Sequence, residues 1–295
     1  MNNHEAKARR LVYWRSFLAP RVAMQWRNFI TDYYLRLGAS PPASRVLAKP
    51  LRSYLMRGLG PRRRLDLLLD HHRWMDASLP TALIEKIHHE KKLSLAFLTG
   101  KKGGDYEVVL ASSISGATQR EGELTIGLTR LCDGLSLSRI SFAFAEVAGG
   151  RALVIGGMQG PAEGQKRAII DATRDLHGLR PKDAVLLATR ALAKGLAPCE
   201  LHAVKDANHI LYRLQNSAKH SNYDAYWRER GAIAAAPFGF AFAPLEPLAT
   251  GGKARDAAKL AIVQGVAALL GLRRPASKFA DRPSAERQLA PANVR

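Results

Sequence analysis

Two short stretches hold most of the side chains able to do chemistry. IGGMQG at residues 155–160 and HGLRPK at 177–182 bring a glutamine, a histidine, an arginine and a lysine within twenty-eight residues. His177 is a candidate general base, the role an imidazole most often takes. Arg180 carries a planar fork that suits phosphate or carboxylate, and Lys182 adds a point charge. Pro181 disfavours helix for the residue before it and starts one itself, so the three are displayed on a loop ahead of a helix. The turn at Gln159 and Gly160 precedes a second helix start, where free N–H groups attract anions. Gln159, Gly160, Arg180 and Lys182 are therefore candidates for a phosphate-bearing cofactor. A plainer alternative has the glycines only permitting positive φ and the basic loop only meeting solvent. The stricter phosphate motifs are excluded: Gly164 is followed by Gln-Lys-Arg instead of Lys-Ser/Thr, and Gly156, Gly157 and Gly160 lack the first glycine of G-x-G-x-x-G.

A second group follows REGE at 120–123. Glu121 is a candidate general base, and Arg120 and Glu123 candidate substrate contacts, although such a cluster also suits a solvated hairpin corner. His209, Tyr223 and Trp227 complete the substrate candidates; Tyr223, Tyr226 and Trp227 suit a core as well as a stacking platform. No G-x-S-x-G elbow accompanies the histidines. The pairs His71-His72 and His88-His89 are adjacent, so each diverges by about 100° on a helix and forms no chelating face. Cys132 and Cys199 have no metal-binding spacing. No metal site is expected.

The elements that must position these groups can be read from periodicity. Apolar residues recur at helical spacing over 5–59, with breaks near Pro20 and Pro41-Pro42, and two more helices follow over 65–89. Five β-branched or alternating segments, 93–100, 106–115, 122–131, 137–147 and 151–157, are separated by tight turns and predict an antiparallel meander. Helices are expected over 163–176, 181–194 and 207–215, with strands over 199–204 and 236–244. The fold class is α+β: a mostly antiparallel sheet with helices packed on it, preceded by a helical region. The expected divisions are a basic helical segment at 1–64, an α+β domain at 65–250, and a basic helix with a disordered tail at 251–295.

Charge is uneven along the 295 residues, whose net formal charge is +20. Residues 1–64 carry 14 Lys/Arg against 2 acids, and 251–295 carry 9 against 3, while the middle is nearly neutral. Basic flanks attract an anionic membrane surface or nucleic acid. The absence of any nucleic-acid reading motif favours the membrane. The N-terminus lacks the apolar core of a signal peptide. The most apolar stretch, LAIVQGVAALLGL, is too short to span a bilayer but long enough to lie on one.

REGEL at Arg120, ISFAF at Ile140, IGGMQG at Ile155, HGLRPK at His177, His209 and YDAYW at Tyr223 occur in the order and approximate spacing of the bacterial VirK/YbjX family, also called domain of unknown function 535. The chain resembles that family over residues 65–243. The resemblance implies an association with Gram-negative virulence, envelope integrity and resistance to cationic antimicrobial peptides, and carries over no catalytic residues. The order of elements is also similar, in topology alone, to the N-acetyltransferase fold, though the R/Q-x-x-G-x-G/A turn of those enzymes is absent. The expectation is a cytoplasmic protein at the inner face of the inner membrane. The alternative is an acyl- or aminoacyl-transferase using coenzyme A or another acyl donor. The oligomeric state is left open.

Overall fold

Residues 14–90, 92–113, 117–148, 150–161, 163–196, 199–211, 222–248 and 252–271 are described by the structure, a computed structural model. Residues 14–18 are helical and lead into α1 (Pro20–Arg36), where Pro20 takes the first helical position. Its missing N–H costs nothing there. The stripe Val22, Trp26, Ile30 and Tyr33 is buried, as the helical spacing predicts. A one-turn helix α2 (Ser44–Leu47), α3 (Pro61–Ser78) and α4 (Thr81–His89) complete the N-terminal layer.

The five predicted meander strands are β1 (Lys92–Thr99), β2 (Asp105–Ser112), β3 (Leu124–Arg130), β4 (Leu135–Val147) and β5 (Gly150–Gln159). Then come α5 (Lys166–Asp175), α6 (Pro181–Gly195), β6 (Glu200–Val204), α7 (Tyr223–Glu229), β7 (Ala232–Ala235), β8 (Gly239–Phe242) and α8 (Ala254–Leu269). One sheet contains all eight strands in the order β1-β2-β3-β4-β5-β6-β8-β7. It is antiparallel except between β5 and β6, which the crossover through α5 and α6 makes parallel.

The C-terminal half adds two elements that were not expected and changes one that was. YDAYWRE is a helix, α7, started by Asn222, whose side chain accepts the Ala225 N–H. The alanine-rich 232–235 is a strand that pairs with β8, because tertiary pairing overrides the weak β-propensity of alanine. The helix expected from 207 is a 3-10 turn at Asp206–Asn208, and 212–221 lies outside the described residues, as does the tail from 272.

Strand β4 is buried at every residue from Ile140 to Ala145, so both its faces are covered. On one face Phe144 meets Trp74 and His71 of α3, with ring centroids 3.9 and 5.4 Å apart. On the other, Ala143 and Ala145 let the alanine-rich α6 approach closely. Helix α8 packs on β1 and α6, and a Cβ at Gly265 would stand 1.7 Å from the Leu95 carbonyl oxygen. The apolar stretch read as able to lie on a membrane thus seals the sheet through Ile262 and Val266.

The N-terminal layer is bolted to the sheet by charge as well as by apolar area. Lys49 Nζ stands 2.6 and 2.7 Å from the two Glu123 oxygens, with 4% and 7% of the side chains exposed. His71, His72 and His88 fill the same interior. The Phe144 N–H donates to His71 Nδ1 at 3.2 Å, and His72 Nδ1 donates to the Leu68 carbonyl at 2.8 Å. Burial lowers the pKa of all three, that of His88 to about 4. These paired histidines are core groups.

Candidate functional site

Strand β5 supplies the backbone of the site. Ala152 to Ile155 pair with β6, but β6 ends at Val204 while β5 runs on to Gln159. In the register with β4, Ser141 faces Gly157 and Phe142 faces Ile155, which leaves Gly156 as the extra residue of a β-bulge. The chain entering β3 crosses here. Glu123 N–H donates to the Phe142 carbonyl, so Gly122 lies flat on β4 and Glu121 sits over β5.

This crossing explains IGGMQG. A Cβ at Gly156 would stand 2.0 Å from the Glu121 carbonyl oxygen, and one at Gly157 would stand 2.5 Å from the Glu121 carboxylate. Neither glycine has positive φ. The pair is there to admit Glu121, which neither the phosphate reading nor the turn reading anticipated. The bulge turns adjacent positions towards the same turn, which ordinary strand alternation forbids.

The Glu121 carboxylate is 0% exposed. Gln159 Nε2 donates to both of its oxygens at 3.0 Å. The Gln159 side-chain oxygen, Oε1, in turn accepts from Arg139 Nε and Nη2 at 3.2 and 2.8 Å. His209 Nε2 lies 3.3 Å from Glu121 Oε1, near enough for attraction but off hydrogen-bond geometry, and has no other partner among the described residues. The Leu211 N–H donates to His209 Nδ1 at 3.3 Å, so the neutral ring carries its proton on Nε2, towards Glu121. Tyr223 packs edge-on against His209, with centroids 5.2 Å apart. Its hydroxyl donates to the Met158 carbonyl and accepts the Met158 N–H at 3.4 Å. It takes the place of the strand that β6 does not supply. Burial raises the Tyr223 pKa, so the hydroxyl stays a proton donor.

Glu121, Gln159, His209 and Tyr223, far apart in sequence, are therefore one constellation. Arg120 adjoins it, and its carbonyl accepts the N–H of Leu55. Leu55, at φ 57°, belongs to the segment that lies over Gly156. Arg139 and Leu55 were not singled out from sequence; only the bulge and the crossing chain bring them here.

The other candidates fall elsewhere. Glu123 is held by Lys49 in the N-terminal interface. Trp227 is 1% exposed and donates to the Val204 carbonyl at 3.3 Å, as a core residue does. A Cβ at Gly160 would meet only the Ile169 side chain, at 4.0 Å. HGLRPK joins two helices: His177 and Gly178 both have positive φ, the Gly178 N–H caps α5 by donating to the Thr173 carbonyl, and Leu179 plugs the core. Arg180 lies 3.5 Å from Glu229 on the surface, and Lys182 stands 5.7 Å from the centroid of the Tyr226 ring. No hydrogen bond or ion pair joins His177 to Glu121 among the described residues. No cluster of His, Cys, Asp and Glu able to hold a metal occurs among them either.

Comparison with known proteins gives the chain its relatives. No solved structure matches it. It is 29% identical over 235 residues to "Uncharacterized protein YbjX" of Escherichia coli (strain K12), covering 78% of this chain and 70% of that protein. The family described as "Protein of unknown function (DUF535)" matches residues 2–248, which include the N-terminal layer, the bulge and the whole Glu121 constellation. The chain belongs to that family, the VirK/YbjX family.

Proposed function

We propose that the Glu121 constellation is the active site of an acyl- or aminoacyl-transferase. One observation carries the reading. At the carboxyl end of the β5–β6 parallel pair, where such sheets bind ligands, the strand bulges and a buried carboxylate is held by an amide with an imidazole beside it, and no Lys or Arg is paired to it among the described residues. A buried carboxylate lacking a cationic partner lowers stability, so function is the simplest reason for its presence. Glu121 is the general base: as an acceptor amine or hydroxyl adds to the acyl carbonyl carbon, its proton passes to the carboxylate. The bond from that carbon to the donor sulfur then breaks, and the thiolate leaves with the proton. Gln159 holds the carboxylate with His209 beside it, and the Tyr223 hydroxyl fixes the β5 backbone. The first turn of α5 has no side-chain cap and carries the exposed Lys166, which suits the pyrophosphate of coenzyme A. His177, Arg180 and Lys182 position α6 in this reading.

The test is thermal stabilisation by a panel of acyl-coenzyme A species and aminoacyl donors, followed by turnover with the donor that binds. Glu121→Gln keeps the binding shift and loses turnover. If the folded protein responds to no donor, the reading fails.

A second reading, peripheral association with an anionic membrane, is favoured by one surface. Trp14, Phe17, Leu18 and Met24 are 69%, 66%, 85% and 62% exposed, and Arg15, Arg21 and Arg27 are exposed among them. Aromatic and aliphatic side chains interleaved with arginine suit the lipid interface. No helix among the described residues is long and apolar enough to cross a membrane. Envelope integrity and antimicrobial-peptide resistance, which the family resemblance implies, fit a transferase that works on that surface. Replacing Trp14, Phe17 and Leu18 by serine abolishes flotation with anionic vesicles; unchanged flotation refutes the assignment.

A further inference from the structure

Segment 49–57 passes between the membrane-reading surface and the Glu121 turn, and four arginines gather along it. Arg15 Nη1 donates to the Leu51 carbonyl at 2.6 Å. Arg64 Nη1 donates to the carbonyls of Pro50 and Arg52 at 3.1 and 2.8 Å, and its Nε to that of Leu59 at 2.8 Å. The guanidinium groups of Arg52 and Arg120, both half-buried, make no hydrogen bond or ion pair among the described residues. None of the four has a carboxylate partner there. Burial lowers the pKa of Arg52, and repulsion from Arg120 and Arg15 lowers it further; burial and Arg15 do the same to Arg64.

Half-buried like charges without a counter-ion lower stability, and two free guanidinium forks offer several donors in a geometry that matches phosphate oxygens. Arg120 is the residue before Glu121, and its carbonyl is tied to Leu55. On the other side Arg15 adjoins Trp14, Phe17 and Leu18 in sequence. We propose that Arg52 and Arg120, supported by Arg15 and Arg64, bind the phosphate of an anionic phospholipid. The acyl chains then meet Trp14, Phe17 and Leu18, and the headgroup beyond the phosphate reaches the Glu121 turn. This rests on the membrane reading above and names its ligand; it also names the class of acceptor for the transferase.

The experiment is flotation and calorimetric titration of the full chain with vesicles of phosphatidylglycerol in phosphatidylcholine. Four forms are compared: wild type, Arg52→Gln/Arg120→Gln, Arg52→Lys/Arg120→Lys, and Lys253→Gln/Arg255→Gln. The last removes the same charge from exposed residues at the start of α8. The glutamine pair is expected to bind at least tenfold more weakly, the lysine pair several-fold more weakly because the fork is lost, and the α8 pair nearly as well as wild type. If the glutamine pair fails to fold, the lysine pair carries the test. Equal loss in the α8 and Arg52/Arg120 pairs would mean diffuse attraction, and unchanged binding in the Arg52/Arg120 variants would remove the site; either overturns the proposal and leaves the membrane reading standing. A wild type that does not float at all overturns both. Soluble glycerol phosphate, run alongside, competes weakly; competition as strong as that of the intact lipid refutes the part given to the apolar anchors.

Discussion

The pair Lys49–Glu123 offers the sharpest test of how the N-terminal layer is fastened. Both side chains are almost wholly buried, and Nζ contacts both carboxylate oxygens at 2.6 and 2.7 Å. Removing one partner strands the other charge in an interior of tyrosines, histidines and aliphatic groups, with a void of only about 10 Å³ beside it. Breaking such a pair costs ~3–5 kcal/mol, whereas replacing both partners by apolar groups is often neutral. Lys49→Met and Glu123→Leu should each therefore destabilise by ~3–5 kcal/mol, while the double variant should lie within ~2 kcal/mol of wild type. At roughly 2 °C per kcal/mol for a long chain, each single variant melts ~6–10 °C lower. Urea unfolding of the four members of the cycle measures the coupling directly. A coupling below ~1 kcal/mol, the value of an exposed pair, would show that the layer does not seal Glu123 from water and would refute the reasoning.

Gly156→Ala and Gly157→Ala both collide with the Glu121 turn, but the first meets a backbone carbonyl and the second a carboxylate that can swing. Overpacking costs ~1–3 kcal/mol, with Gly156→Ala the worse by thermal melting; equal and negligible losses would mean that Glu121 does not lie over β5. Tyr223→Phe leaves the N–H and carbonyl of Met158 unpaired and should cost ~1–3 kcal/mol, with faster amide exchange at Met158 as its signature. The buried histidines set a pH dependence. Their folded pKa values lie below the ordinary 6.5, so the unfolded state binds more protons and stability falls as pH drops from about 6.5 towards 4. For His88 the drop to about 4 is worth at most ~3 kcal/mol. His88→Gln should flatten that part of the stability curve, and a slope equal to that of wild type counts against it. Gly265→Ala should lift α8 off β1, where its Cβ would meet the Leu95 carbonyl, and lower the melting temperature by several degrees.

The meander, the helices around it and the α+β class were legible because their causes are local. The β-branched run in 106–110 and the placing of Ile140, Phe142 and Phe144 on one face point to strands, and Pro181 with Gly195 brackets α6 on its own. HGLRPK attracted a catalytic reading because its chemistry is dense in sequence, yet its positive-φ histidine and glycine end one helix so that the next can begin. Glu121 was recognisable as a candidate base, but not its partners. Gln159, His209, Tyr223 and Arg139 come from a strand end, a loop, a helix start and the middle of β4, up to about a hundred residues away, and a bulge of one residue aims β5 at them. In the same way 1–64 reads as a separate basic arm, while Lys49 finds its counter-charge 74 residues later. Sequence alone determined which segments are helix and strand, because backbone sterics and apolar spacing act over a few residues. Only the tertiary structure decided which polar groups share a buried site, because that depends on where chains cross, and room for a crossing is made by glycines whose purpose appears only once the crossing chain is in place.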